Sequence, residues 1–484
     1  MKVLWPRLPP GWLVSGHAWW AMTTLFVALA AVESTCGVTI RDPNFQVERI
    51  HRGGGMIPIV FGPGGRIYIG EKGGKVILLK PGVAPGTFLP AIELTRLPLT
   101  ASSGESGLLG LAAHPEFQTN RWLYAFYSRN GLPLDQRLVR LQVDPSFDSI
   151  TAPPEVLLDG LPFTESTHNA GDIQFHPTEG LLYITLGDDR RTSAVQDLDR
   201  YEGKLLRLDD EGRGLTSNPY YDGDVTSLRS RIWGLGARNP FRFAFHPVTH
   251  DLYVSENGEV KDRVSLWSAP AANGGWPGEF DTPSDPKITN VLSLQTPSLT
   301  GIAIVRGGPF ADPDFPDSDA LYVANWSLSK IRRWRLTGTD LDSAVPINSG
   351  VNNDFITSLF LPAHMAFGLD GALYITTASD NGSGFLYRVS VIPRGFQLPA
   401  DGNQDAKIDI DDAVWLLGYL FGSTTEAPCA ATGGNIALLD TNGDGAVDIA
   451  DPIAVLLHLF AGGSGPVLGT DCEELLWCPT LCTP

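Results

Sequence analysis

Leu182-Tyr183-Ile184-Thr185-Leu186, followed after a polar loop by Lys204-Leu205-Leu206-Arg207-Leu208, is the stretch from which the fold is read. The first run is a strand core of apolar and aromatic residues. The second alternates apolar with basic side chains at the period of two that marks a half-buried strand. The same signature recurs at Ile67-Tyr68-Ile69, Leu123-Tyr124-Ala125, Leu252-Tyr253-Val254, Leu321-Tyr322-Val323 and Leu373-Tyr374-Ile375. Partner strands include Lys75–Leu79, Arg137–Leu141 and Lys330–Arg335. Six copies at spacings of fifty to seventy residues each leave room for a four-stranded sheet and a loop, which is one propeller blade. The expectation is an all-β, six-bladed β-propeller over residues 40–392, with its working surface at one mouth of the central channel. His114-Pro115, His176-Pro177 and His246-Pro247 recur in step with the blades, so their histidines are read as turn residues.

Composition agrees with this reading. The chain has 484 residues, 53 of them Gly and 37 Pro, and 43% are apolar, enough for a large core with many tight turns. A formal net charge of −19 repels phosphate backbones, which argues against a nucleic-acid partner. The acids concentrate at the end: residues 401–484 hold 13 acidic side chains and one Lys. This asymmetry predicts a second domain at 401–484, joined by a linker at 393–400.

The first thirty residues carry Lys2 and Arg7, then an apolar run ending in Ala28-Leu29-Ala30. That pattern predicts a signal peptide at 1–30, with an uncleaved anchor or lipidation at Cys36 as alternatives. The rest of the sequence contains no further run long enough to cross a bilayer, so the processed chain is expected to be secreted, periplasmic or at the cell surface. Cys429, Cys472, Cys478 and Cys482 predict two disulfides, with three pairings open and a zinc site as the alternative.

Three segments carry polar groups that blade packing does not need: Gly104 through Gly110, His168 through Asp172 with Gly187-Asp188, and Gly236-Ala237-Arg238-Asn239-Pro240. A His, an Asp and an Arg from adjacent blades converging at one mouth would make a base, its orienting carboxylate and a cation for developing negative charge. Read individually, Asp188 is also a turn cap and Arg238-Asn239-Pro240 a tight turn.

In order along the chain, Gly107-Leu108-Leu109-Gly110, His168-Asn169-Ala170-Gly171-Asp172, Leu182 through Asp188 and Gly236 through Arg242 resemble the soluble glucose/sorbosone dehydrogenases. These are six-bladed propellers that use pyrroloquinoline quinone and calcium. The resemblance covers roughly residues 45 to 392. It implies that a sugar hydroxyl is oxidised by hydride transfer to the quinone, with His168 as base, Asp188 setting its tautomer, Arg238 stabilising the reduced quinone and Asn239 touching the cofactor. It further implies that the carbonyls of Gly258 and Glu259 bring calcium to the quinone. Where that family holds the cofactor's carboxylates with a glutamine, a lysine and two arginines, this sequence has Glu105, Ser327, Leu361 and Ala363. Lys330, Arg332, Arg190 or Arg191 are the candidates to replace them. Two other readings stay open: a non-catalytic propeller that binds carbohydrate or protein, and a hydrolytic or lactonase-type propeller using a channel calcium.

The tail repeats a twelve-residue loop. Asp401, Asn403, Asp405, Lys407, Asp409 and Asp412 occupy positions 1, 3, 5, 7, 9 and 12 of one copy, and Asp440, Asn442, Asp444, Ala446, Asp448 and Asp451 those of the other. Calcium takes six to eight oxygens, and this spacing wraps carboxylates and the position-seven carbonyl around one ion. Gly445 stands at the sharp turn of the second loop and Ala406 at that of the first, so the first is expected to bind more weakly or to be slightly strained. Each loop leads into an apolar helix, and the pair resembles a dockerin module, which implies a cohesin-like protein partner. Packing of the helix faces against each other or against the propeller is the alternative.

Overall fold

The computed structural model describes residues 37–483 apart from 84–85, 296–297, 349–352, 380–381, 423–426 and 430–431. The expected signal peptide and Cys36 lie outside the described residues.

The six strand cores are the second strands of six sheets, antiparallel except that Ile232–Leu235 in the third blade also pairs in parallel with Ala272–Asn273. In the first blade Met56–Gly62, Arg66–Glu71, Lys75–Leu79 and Ile92–Arg96 pair in chain order. The second, third and fourth blades follow with inner strands Leu108–Ala113, Ala170–Phe175 and Arg242–Phe245. The fifth and sixth start at Leu299–Arg306 and Pro362–Phe367. Each inner strand touches the next, and Pro362–Phe367 touches Met56–Gly62, so the ring closes around an axial channel. The outer strand of the sixth blade is not the next segment of chain. Phe45–Gly53, from the N-terminal side, pairs with Gly384–Val391 and completes that sheet.

Local chemistry explains the repeat. The tyrosine of every core is buried. Four of the hydroxyls reach a carbonyl outside their own strand: Tyr68 to Phe147, Tyr124 to Asp210, Tyr253 to Leu341 and Tyr322 to Phe310, at 2.6–3.0 Å. The ring fills the core while its polar tip ties a loop to the blade. Gly110 lets neighbouring inner strands approach, since a Cβ there would stand 2.6 Å from the Gly171 carbonyl. The His-Pro histidines cap turns: Nδ1 of His114, His176 and His246 accepts backbone N–H groups two or three residues on.

Beyond the propeller, helices Ile410–Phe421 and Ala450–Ala461 follow the two acidic loops and pack on each other. Residues 394–397, expected within a linker, are instead a strand, Arg394–Gln397, paired with Glu473–Leu476. A third helix, Thr432–Leu439, was not expected from the sequence. Cys429 pairs with Cys478 and Cys472 with Cys482, which selects one of the three pairings. Among the described residues no helix is long and apolar enough to cross a membrane.

Candidate active site

The third-blade entry is shaped by unusual backbone. His168 (φ +58°), Ala170 (+49°), Asp189 (+47°) and Arg190 (+59°) all lie in the left-handed region, which is costly without glycine and concentrates at functional sites. Gly187 makes the crossing feasible: a Cβ there would sit 1.9 Å from the His168 carbonyl oxygen. The two turns thereby bring His168 Nδ1 to 2.7 Å from Asp188 Oδ1. Both side chains are buried. A carboxylate only accepts, so Nδ1 carries the proton and Nε2 keeps the lone pair. Asp188 also accepts from Arg190 N–H, at 2.9 Å, and its second oxygen accepts from Trp276 Nε1 at 2.9 Å.

Arg238 and Asn239 reach the same place from the loop between the third and fourth blades. The Asp188 N–H donates to the Arg238 carbonyl at 2.7 Å. Arg238 Nη1 donates to the Asn257 carbonyl at 3.0 Å, and its Cζ lies 5.2 Å from the Trp276 ring centroid. Glu105, from the loop entering the second blade, accepts from His168 N–H at 2.8 Å and from Asn239 Nδ2 at 3.0 Å. His168, Asp188, Arg238, Asn239 and Glu105 are therefore one connected group.

The channel has two ends. The wider one, about 400 Å³, is lined by all six inner strands with few polar groups, among them Asp172, Gln174 and His364. The narrower, about 160 Å³, is walled by Ile57, Lys72, Glu105, Asn257, Trp326 and Ala363 among others. It touches the connected group through Glu105 and Asn257. Because the acid–base chemistry stands there, it is the candidate active site although it is the smaller space. Gly258 and Glu259 follow Asn257 in the chain but do not line this cavity, and Glu259 is exposed.

A quinone tricarboxylate can be tested against these residues. Arg238 Nε, Asn239 Oδ1 and Asn169 Oδ1 are buried without a hydrogen-bond partner, which calls for a polar ligand at this end. Lys72, buried and already donating to the Gly104 carbonyl, puts a cation on the cavity wall. Arg238 Nε and the Lys72 ammonium are donors that fit carbonyl or carboxylate oxygens, whereas the two amide oxygens are acceptors that fit an N–H or hydroxyl group. The replacement cations expected from sequence are mostly committed elsewhere, however. Lys330 and Arg332 both bind Asp354, at 2.5 and 2.9 Å, and Arg191 lies within 4 Å of Asp189 and Glu202. Arg190 bonds Thr167 Oγ1 beside the dyad. Ser327 bonds Ser298, and Ala363 lines the cavity with a methyl group. Sequence reasoning missed Lys72 and Trp276. Both sit in Gly-rich runs, Gly70-Glu71-Lys72-Gly73-Gly74 and Asn273-Gly274-Gly275-Trp276-Pro277, that read simply as turns.

The two acidic loops have matching geometry. Asp401 accepts from the N–H groups of Asp405 and Ala406, and Asp440 from those of Asp444 and Gly445. Asp412 and Asp451 each hold the loop from its far end, through Asn403 and Asp409 and through Asn442 and Asp448. Asn403, Asp405, Asn442 and Asp444 each cap the residue two further on. Burial, with neighbouring acids adding, raises Asp401 and Asp451 above the usual carboxylate range and pushes Asp412 up to about 6. Carboxylates held this way fit an oxygen-seeking dication. Among the described residues no group of three or more His, Cys, Asp or Glu is already drawn together as a metal site.

The fold and the dyad define a class of protein, a six-bladed propeller with a buried His–Asp pair at the channel mouth. The glucose/sorbosone dehydrogenase family model matches residues 57–285. Aldose sugar dehydrogenase YliI of Escherichia coli (strain K12) is 29% identical over 314 residues, 61% of this chain and 80% of that protein. Quinoprotein glucose dehydrogenase B of Acinetobacter calcoaceticus is 28% identical over 246 residues, 45% of this chain and 49% of that protein, so the match spans about half the length of this relative. The solved apo-form of the soluble aldose sugar dehydrogenase from Escherichia coli shares the fold, with a TM-score of 0.57 at 22% identity over 72% of this chain and 99% of that one. The chain is thus similar to the glucose/sorbosone dehydrogenase family over residues 57–285 and shares the propeller fold of the solved aldose sugar dehydrogenase.

Proposed function

We propose that the protein oxidises an aldose-type sugar hydroxyl, with pyrroloquinoline quinone as cofactor. The observation that carries this reading is the 2.7 Å contact between His168 Nδ1 and Asp188, which leaves Nε2 as the base for the hydroxyl proton. Asp188 stabilises the imidazolium that forms. Arg238 offers a fixed positive charge where negative charge develops, and Lys72, Asn239 and Arg238 would hold the cofactor. When bound, the quinone would supply the hydride acceptor for this chemistry. The test is dye-coupled oxidation of aldoses after reconstitution with quinone and calcium. His168→Ala is expected to lower kcat by about 10²- to 10⁴-fold while quinone binding persists. Retention of full turnover would refute the assignment of the base.

The second reading, a propeller that binds carbohydrate or protein without turnover, is favoured by the uncharged Ser327, Leu361 and Ala363 at the family's cationic positions. Carboxylates left unpaired in a partly buried site cost several kcal/mol by the usual estimates. A quinone titration separates the two: a micromolar complex, about −8 kcal/mol, supports the enzyme, and folding without quinone binding supports the binder.

The finer parts of the proposal are export through residues 1–30, calcium near Gly258 and Glu259, and a dockerin-like module at 401–484 that takes one calcium per loop. The buried Asp401, Asp412 and Asp451 support the last. A cohesin-like partner would meet Ile410, Val414 and Phe421 on one helix and Ile453, Leu457 and Phe460 on the other, all exposed.

A further inference from the structure

Trp276 follows Asp188 by 88 positions in the chain, yet its indole N–H donates to Asp188 Oδ2 at 2.9 Å. Because Asp188 Oδ1 is held by His168 Nδ1 at 2.7 Å and by Arg190 N–H at 2.9 Å, the carboxylate cannot rotate without losing partners on both oxygens. The same indole lies against Arg238, whose Cζ is 5.2 Å from its centroid. One side chain thus touches the acid of the dyad and the neighbouring cation. Its own seat is firm: Trp276 N–H donates to the Gly236 carbonyl at 2.9 Å, and the ring packs with Val195 and edge-on to Phe280. Gly236 (φ +81°) has no room for a Cβ, which would stand 2.0 Å from Asn273 Oδ1. The loop carrying Trp276 and the loop carrying Arg238 are therefore locked together.

We propose that Trp276 is a positioning residue that holds Asp188 and Arg238 in one fixed relation, and so fixes His168 Nε2 relative to the guanidinium. Its catalytic consequence rests on the dehydrogenase reading, but the hydrogen-bond relay does not. Trp276→Phe keeps the ring and deletes the donor. In the apo full-length protein, labelled at histidine and tryptophan nitrogens, NMR should find a low-field His168 Nδ1–H and an indole N–H of Trp276 protected from exchange. Trp276→Phe should move the His168 signal while the other histidines and the circular dichroism stay as they were. In the reconstituted enzyme the same change should lower kcat about 10- to 100-fold, with KM for the aldose within about twofold. An unmoved His168 signal, an unchanged kcat, or equal changes in kcat and KM would overturn the proposal. Should Trp276→Phe fail to fold, the wild-type indole decides: rapid exchange with water overturns the relay, and a protected indole that shifts in Asp188→Asn supports it. Should the wild type oxidise no aldose while both N–H signals behave as expected, the dehydrogenase reading falls and the relay stands.

Discussion

Lys204 shows how a single buried charge shapes the surroundings of the site. Its ammonium donates to the carbonyls of Val195 at 2.7 Å and Glu202 at 2.8 Å, folding the loop whose Val195 packs on Trp276. Burial pushes it down to about 8 from 10.5, against the opposing pull of Glu202 and Asp197. Below pH 8 it is charged in both folded and unfolded chains and the burial penalty is fully present. Between about 8 and 10.5 the folded chain releases the proton while the unfolded chain keeps it, so stability rises with pH. The buried tyrosines, raised by burial, oppose this above about pH 10, so the Lys204 contribution is read as the stability of wild type minus that of Lys204→Met, which should rise by up to roughly 3 kcal/mol in urea unfolding between pH 7 and 10.5. Sequence made Lys204 visible as the first residue of an alternating strand and said nothing of its carbonyl partners, which depend on how the preceding loop folds back. The His168–Asp188 pair was legible because its two motifs stand at the ends of adjacent strands of one blade. Trp276 and Lys72 were not, since their contacts are set by blade packing across long stretches of chain.

At the scale of elements, the repeat was legible wherever period two and a buried tyrosine coincided. The strands Arg394–Gln397 and Glu473–Leu476 escaped because each is four residues long and pairs across about eighty positions. The two acidic loops share their internal hydrogen bonds and differ at one turn residue. Ala406 adopts φ +65°, where Gly445 of the second copy has +88°. An L-residue pays about 1 kcal/mol or more for that conformation. Ala406→Gly should remove this strain and stabilise the C-terminal module by about 1 kcal/mol, as read by urea unfolding, and an unchanged midpoint would mean that the loop bears the conformation at no cost.

For the whole molecule, the sixth blade is the weak point and the fastener. Its outer strand Phe45–Gly53 pairs along Gly384–Val391, and Asp42 adds a buried 2.7 Å contact to Arg333 of the fifth blade. Deleting residues 37–53 would leave an unpaired edge on a closed architecture. The expected outcome is loss of a single cooperative unfolding transition in calorimetry and the appearance of higher oligomers on size exclusion. The deletion also takes Thr39–Ile40 from the fifth sheet, and an unchanged transition would mean that the remaining strands hold the ring unaided. Sequence periodicity counted six copies correctly but could not assign this strand, because Phe45–Gly53 lacks the apolar-Tyr-apolar mark and its partner lies at the far end of the ring.

The seam between Phe45–Gly53 and Gly384–Val391 also sets a clock on biosynthesis. The strand made earliest must wait for the one made last, so ring closure is postponed until nearly the entire propeller has left the ribosome. Until then the nascent chain carries an open edge at each end, and whatever shields those edges in the cell decides how much protein matures.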